Sequence, residues 1–350
     1  MNDSPHIDPI PGFKALSGCN CLSSSFKRIC AFHGYEISEP MLLGLGSGVG
    51  FGYWQQQGSL PFLGGRGNVK AFHTDLAART GLQIIEHTTS SPQKAEKALL
   101  QSLDGGEPVV IYADMAYLPH LGLGADAHFG EHAIVIAGYD ATTRQVLISD
   151  IVPHMTGLKD GGFHTISLEQ LRRARSSPYK PFPPKNRWFT FDFSHSRPPD
   201  ADGIYTSLAF AVEAMLHPPI RNLGVKGIRT AAQRVRQWPT HFDEAQVRGA
   251  LFNFYVYTEI GGTGGGLFRY MYSDFLAEAA ALTGDGRLAD ISEKVRHCAN
   301  AWRALARPLE AAWEIENPAA MLPGLSEALN RVSDLEADAW EELKAALPQA

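Results

Sequence analysis

Between Ser194 and Gly203 the character of the chain changes, and this change limits the fold more than any other feature. Before it, short apolar runs alternate with helical stretches. After it, apolar residues recur at helical spacing almost without interruption. The segment itself, Ser194-His195-Ser196-Arg197-Pro198-Pro199-Asp200-Ala201-Asp202-Gly203, is polar and rich in proline, as linkers are. A chain of 350 residues is long enough for two domains. The expectation is an α+β domain over 13–193, a linker over 194–203 and an all-helical domain over 204–350.

In the first half, Leu22 to His33 carries apolar residues at Leu22, Phe26, Ile29, Cys30 and Phe32 and stops at Gly34, which predicts an amphipathic helix. The run Gly44-Leu45-Gly46-Ser47-Gly48-Val49-Gly50-Phe51-Gly52-Tyr53 has too many glycines for a regular helix and reads as a loop lining something. Val69 to Arg79 and Pro92 to Leu103 read as helices, the second capped by Ser91. Strands are expected at Leu82 to Glu86, Pro108 to Ala113, His132 to Tyr139, Gln145 to Ser149, Phe163 to Ile166 and Arg187 to Phe193. A helix from Leu168 to Arg175 follows Ser167. The middle strands are a hairpin length apart, so the sheet should be antiparallel. Helices fill the second half, punctuated by prolines and by Gly261-Gly262-Thr263-Gly264-Gly265-Gly266.

Cys21 stands at the start of the first helix, where free N–H groups and the helix dipole favour a thiolate. Small polar residues, Ser23, Ser24 and Ser25, leave room for a substrate there. His132 opens the apolar run Ala133-Ile134-Val135-Ile136-Ala137, so the sheet holds it at a strand mouth. If that strand and the next form a hairpin, Asp150 returns to the end where His132 lies and can fix its tautomer. The trio has the makings of a cysteine nucleophile, its base and the group that orients the base.

These residues resemble the papain-like peptidases that trim bacteriocin leader peptides. A closer resemblance covers nearly everything from Gly18 onward. Asn20-Cys21-Leu22-Ser23-Ser24-Ser25, Ile37-Ser38-Glu39-Pro40 and the Gly44 to Phe51 run are similar to the N-terminal domain of the butirosin-pathway acyltransferase family, and Gly261 to Arg269 with Tyr272 to its helical companion domain. The resemblance implies a papain-like cysteine fold and a Cys21–His132–Asp150 triad. It implies transfer of an acyl or aminoacyl group from an acyl or peptidyl carrier protein to a small-molecule amine, in secondary metabolite biosynthesis. Phosphopantetheine would enter only as part of the carrier, with no other cofactor and no metal. The glutamine that papain-like peptidases place before the cysteine is absent, since that stretch reads Ala15-Leu16-Ser17-Gly18. Asn20, with Ser23 beside it, or the Cys21 N–H would then meet the oxyanion. Gly48, Phe51 and Tyr53 would wall an acyl channel, and Arg269 would meet a carrier phosphate.

Other readings compete with these. Cys19 is a rival nucleophile and His128 a rival base, while Cys30 and Cys298 read as packing. His73, His120, His154 and His164 read as surface or structural. With water as acceptor the same site would be a peptidase or amidase, and without reactivity the chain would be a carrier- or peptide-binding module. The net charge of −6 is spread without a basic stripe, which argues against nucleic acid. No stretch of 18 or more apolar residues exists, which argues against a membrane span, and the N-terminus lacks a secretion signal, so the expected location is cytoplasmic. The apolar faces of the second half allow a homodimer.

Overall fold

The computed structural model describes residues 7–56, 58–151 and 158–348. Its strands in chain order are β1 (Val49–Trp54), β2 (Phe62–Arg66), β3 (Gln83–His87), β4 (Val109–Ala113), β5 (His132–Asp140), β6 (Gln145–Ile151), β7 (Gly161–Ser167) and β8 (Trp188–Asp192). Its α-helices are α1 (Cys21–Phe32), α2 (Glu39–Leu45), α3 (Phe72–Thr80), α4 (Pro92–Asp104), α5 (Leu168–Ser176), α6 (Ala201–Leu216), α7 (Gly224–Val235), α8 (Glu244–Tyr255), α9 (Arg269–Thr283), α10 (Gly286–Ala306) and α11 (Leu322–Ala346). The protein is therefore α+β, with an antiparallel sheet toward its N-terminal side and a largely helical C-terminal part. Among the described residues no helix is long and apolar enough to cross a membrane.

The chain forms two compact units, Met1–Glu39 with Gly81–Arg197, and Pro40–Thr80 with Pro198–Ala350. The first contains a six-stranded sheet in the order β3-β8-β4-β5-β6-β7, with every neighbouring pair antiparallel. Side chains alternate across a sheet. Val109, Ile111 and Ala113 of β4, Ile134 and Ile136 of β5, and Val146 and Ile148 of β6 meet Leu99 of α4 and Leu168, Leu171 and Ala174 of α5 in one buried cluster. Helix α1 packs through Phe26, whose ring sits edge-on to Phe189 and Phe191 of β8 at 5.1 Å each.

The second unit corrects two expectations. Residues 40–80, placed by sequence proximity in the first domain, belong here, and the glycine-rich run is not a loop. Its Val49–Trp54 part is β1, paired antiparallel with β2. The glycines serve close backbone approach, since a Cβ on Gly50 would stand 2.7 Å from the Gly67 backbone. The Tyr53 N–H donates to Asn222 O at 2.9 Å, and Gly52 bridges to Leu223, which ties the ribbon to the segment leading into α7. The expected linker also ends early. Asp200 caps α6 by accepting the Gly203 N–H at 2.7 Å, so residues 201–203 are already helix.

Candidate active site

Helix α1 begins on Cys21, the candidate nucleophile. Asn20 is its N-cap, and its side-chain oxygen accepts from Leu22 N and Ser23 N at 3.1 and 3.2 Å, an arrangement worth about 1 kcal/mol. That cap leaves the Cys21 N–H, at the first helical position, outside the Asn20 contacts. Behind it the Glu39 carboxylate accepts the Cys19 N–H, the Asn20 N–H and the Ser23 hydroxyl, each at 2.8 Å. Gly18 makes room for this cluster, because a Cβ there would lie 2.2 Å from Ser24 Cβ. The expected substrate role of Ser23 needs correcting accordingly, since its side chain is buried with its hydroxyl on Glu39. The Asn20 oxygen caps α1, so a contact from Asn20 to an oxyanion would fall to its amide nitrogen.

The other two members come from adjacent strands. Val135 pairs with Ser149, so one step further Asp150 faces Ile134 and His132 lies diagonally across from it on the same face. His132 Nε2 lies 2.8 Å from Asp150 Oδ2. The carboxylate only accepts, so Nε2 carries the proton and Nδ1 is left for the thiol. Burial alone would raise the Cys21 thiol. The hydrogen bond and positive charge of His132, helped by the Ala133 backbone, outweigh burial and the Asp150 charge, and hold the thiol below its ordinary 9.0. Burial would lower His132, but Asp150 and then Cys21 push it up to about 10. Burial also opposes the ionised form of Asp150, yet His132 and His120 keep it well below the usual carboxylate range. These shifts favour ionisation of Cys21 beside the His132 imidazole, with the Asp150 carboxylate behind the ring.

Several participants escaped the sequence reading. Lys159 is almost fully buried, and its backbone pairs with Gly18 through hydrogen bonds of 2.9 and 2.8 Å. Burial lowers its ammonium, while the charges of Cys21, Cys19, Glu39 and Asp150 resist that. Arg28 is also buried, donating twice to Leu16 O at 2.9 and 2.8 Å, and it feels Asp150 and Glu39. His120, expected at the surface or in a structural role, lies 2.9 Å from the same Asp150 oxygen that serves His132. Glu39 sits in the Ile37 to Pro40 segment that carried the family resemblance, and that is the one sequence signal that could have found it. No local pattern marks Lys159 or His120.

The remaining candidates go elsewhere. Gly48, Phe51, Tyr53 and Arg269 lie in the second unit as interior residues. A Cβ on Gly48 would press on Leu43 at 2.6 Å, Phe51 stacks on Trp302 at 5.7 Å, and the Tyr53 hydroxyl accepts from Trp238 Nε1 at 3.1 Å. Arg269 is fully buried and forks onto Glu336 at 2.6 and 3.1 Å, so its charge is already matched and it is no surface phosphate contact. Cys19 lies ahead of the helix with its N–H on Glu39. Cys30 and Cys298 are buried, and burial pushes the Cys30 thiol up to about 12. His128 holds Asp114 through Nδ1 at 2.8 Å and stacks on Tyr179. His73 is half-buried in α3, and His154 lies outside the described residues.

Site-resolved alkylation with iodoacetamide should therefore single out Cys21. Its thiolate forms below the ordinary value of 9.0. The imidazolium beside it persists until His132 deprotonates near 10. The rate at Cys21 is expected to reach half its plateau below pH 9.0, with Cys30 and Cys298 unreactive. A half-point at or above that value would remove the ion pair.

Two family comparisons match the chain. Residues 20–151, which contain Cys21, His132 and Asp150, match the family described as butirosin biosynthesis protein H, N-terminal. Residues 169–343, half of the chain, match a domain of unknown function, DUF4872. No curated protein matches significantly. The chain therefore belongs to the DUF4872 family and carries, ahead of that domain, a stretch matching the N-terminal domain of butirosin biosynthesis protein H.

Proposed function

We propose that the protein is a cysteine-dependent acyltransferase that moves an acyl or aminoacyl group from a carrier-protein thioester to an amine, by way of an acyl–Cys21 intermediate. The observation that carries this is the Cys21–His132–Asp150 arrangement, in which His132 brings the thiol below its ordinary value and Asp150 holds the imidazole. The match to the butirosin biosynthesis protein H N-terminal domain supports a biosynthetic acyl transfer over other cysteine chemistry. The cysteine on a helix start, the histidine on a strand and the carboxylate on the next strand are also what a papain-like domain would bring together.

In the first half-reaction the Cys21 thiolate adds to the thioester carbonyl carbon. The Cys21 N–H, outside the Asn20 cap, is the proposed donor to the oxyanion, with the buried Lys159 ammonium adding positive potential. The carbon–sulfur bond to the carrier breaks, His132 gives its proton to the departing thiolate, and acyl–Cys21 remains. In the second half-reaction an amine adds to that carbonyl and loses a proton to His132. The bond to Cys21 then breaks, the amide leaves, and the thiolate–imidazolium pair is restored.

The test is intact-protein mass spectrometry after mixing the protein with acylated carrier protein or simple acyl thioesters, beside Cys21→Ala. A mass gain equal to the acyl group, absent in the variant and discharged by added amines, is the expected result. Discharge by water as fast as by amines would make the protein a hydrolase. No adduct from any thioester, with Cys21 inert to alkylation, would leave a binding module.

A further inference from the structure

Asp150 serves two imidazoles at once. Its Oδ2 lies 2.8 Å from His132 Nε2 and 2.9 Å from His120 Nε2, while its Oδ1 accepts the Ile151 N–H at 2.7 Å. An ionised carboxylate can only accept, so both nitrogens carry protons. His120 has no other duty in the described structure. Its Nδ1 is buried without a hydrogen-bond partner, and its ring lies flat on His164 with centroids 4.1 Å apart and planes 10° apart. The short turn Pro119–Leu121 that carries it is held in the core by Leu118 and Leu121, both 2% exposed. A buried ring nitrogen without a partner is costly, so the arrangement needs a benefit elsewhere.

We infer that His120 is a positioning residue that tempers the pull of Asp150 on His132, so that His132 can give up its proton once Cys21 is acylated. A carboxylate shared between two N–H donors attracts each less than it would attract one alone. In the free protein the thiolate stabilises the His132 imidazolium. In the acyl-enzyme the thiolate is gone and Asp150 alone holds that proton, while the incoming amine needs a neutral imidazole to receive its own. Without the second donor, His132 would hold its proton more tightly and amine attack would slow. The other charged and titratable groups around this carboxylate are Cys21, Arg28, Glu39, Lys159 and His164, on α1, at the start of α2, beside β7 and on β7. None of them is altered in the test below, so they form a constant background to it.

His120→Phe removes the donor, and His120→Gln keeps an N–H at a similar reach. The sign is fixed: losing the second donor strengthens Asp150 toward the imidazolium, raises His132 and lets the thiolate form at lower pH. The Cys21 alkylation half-point in His120→Phe is expected to fall by about half a pH unit to one unit, with His120→Gln returning toward the parent. Transfer to amine from a preformed acyl–Cys21 is expected to slow by up to about tenfold in His120→Phe, while acylation at neutral pH changes less than about twofold. The alkylation readout needs no acyl donor, so it judges His120 even if the acyltransferase reading fails; only the transfer split rests on that reading. An unmoved or upward-moved half-point in His120→Phe overturns the inference. Should that variant not fold, proton spectra of the parent protein with ¹⁵N-histidine decide. Downfield Nε2–H signals assigned to both His120 and His132 support the inference, and the lack of one from His120 overturns it.

Discussion

His132→Gln is expected to slow acylation of Cys21 by a thioester about 10⁴-fold or more at neutral pH, from two separable losses. The first is the thiolate. Burial raises the Cys21 thiol, and only His132, with help from the Ala133 backbone, brings it below 9.0. Without the imidazole the thiol returns to at least its ordinary value, which leaves about one molecule in a hundred or fewer ionised at pH 7. The second is the proton donor to the departing thiol, a role worth about 10²–10⁴-fold. His128→Gln supplies the contrast. That ring is committed to Asp114 and stacked on Tyr179, so acylation should stay within about threefold of the parent. A His132→Gln protein acylated within tenfold of the parent would remove His132 as the base and leave Cys21 as an ordinary thiol near a histidine.

Cys21, His132 and Asp150 stand out in the sequence as candidates because each carries a local mark. A cysteine preceded by a capping asparagine announces a helix start, a histidine before an unbroken apolar run announces a strand mouth, and a hairpin-length connection returns Asp150 to the same end. The residues that complete the site lack such marks. Glu39 reaches back to Cys19, Asn20 and Ser23 from the start of α2, and Lys159 reaches Gly18 across a bridge. Both contacts depend on how distant segments pack, which periodicity does not encode. His120, read as surface or structural, stays outside the sequence-defined site for the same reason: nothing local shows that its neighbours Leu118 and Leu121 are buried and turn it toward Asp150. The glycine-rich run failed differently. Its first two residues, Gly44 and Leu45, in fact close α2, and glycine also permits the close strand crossing at Gly50 and Gly67, a composition that a loop and a tight ribbon share.

Arg269→Met is expected to destabilise the second unit by about 3–5 kcal/mol, the usual consequence of stranding one member of a buried ion pair. The Glu336 carboxylate is almost wholly enclosed. Its Oε1 takes Arg269 Nε at 2.6 Å and Trp302 Nε1 at 2.7 Å, and its Oε2 takes Arg269 Nη2 at 3.1 Å and Trp340 Nε1 at 2.7 Å. Removing the guanidinium leaves a buried negative charge with two indole donors and no countercharge. It also strips Gly50 O and Leu267 O of the Nη1 donor that holds them at 2.8 and 2.9 Å. Leu267 and Phe268 have left-handed backbone, φ 52° and 71°, so the same guanidinium steadies the strained end of the glycine-rich turn. Lysine cannot replace that planar fork, and Arg269→Lys should lose most of the same stability. Adding Glu336→Gln to Arg269→Met removes the stranded charge, so the double variant should be less unstable than the two single losses summed. Urea unfolding followed by tryptophan fluorescence reads this well, because five of the six tryptophans, Trp54, Trp238, Trp302, Trp313 and Trp340, belong to the second unit. A midpoint unchanged in Arg269→Met, accompanied by weaker use of carrier-bound donor, would mean that Arg269 meets a phosphate after all. The buried fork onto Glu336 argues that stability, and not carrier recognition, is what this arginine supplies.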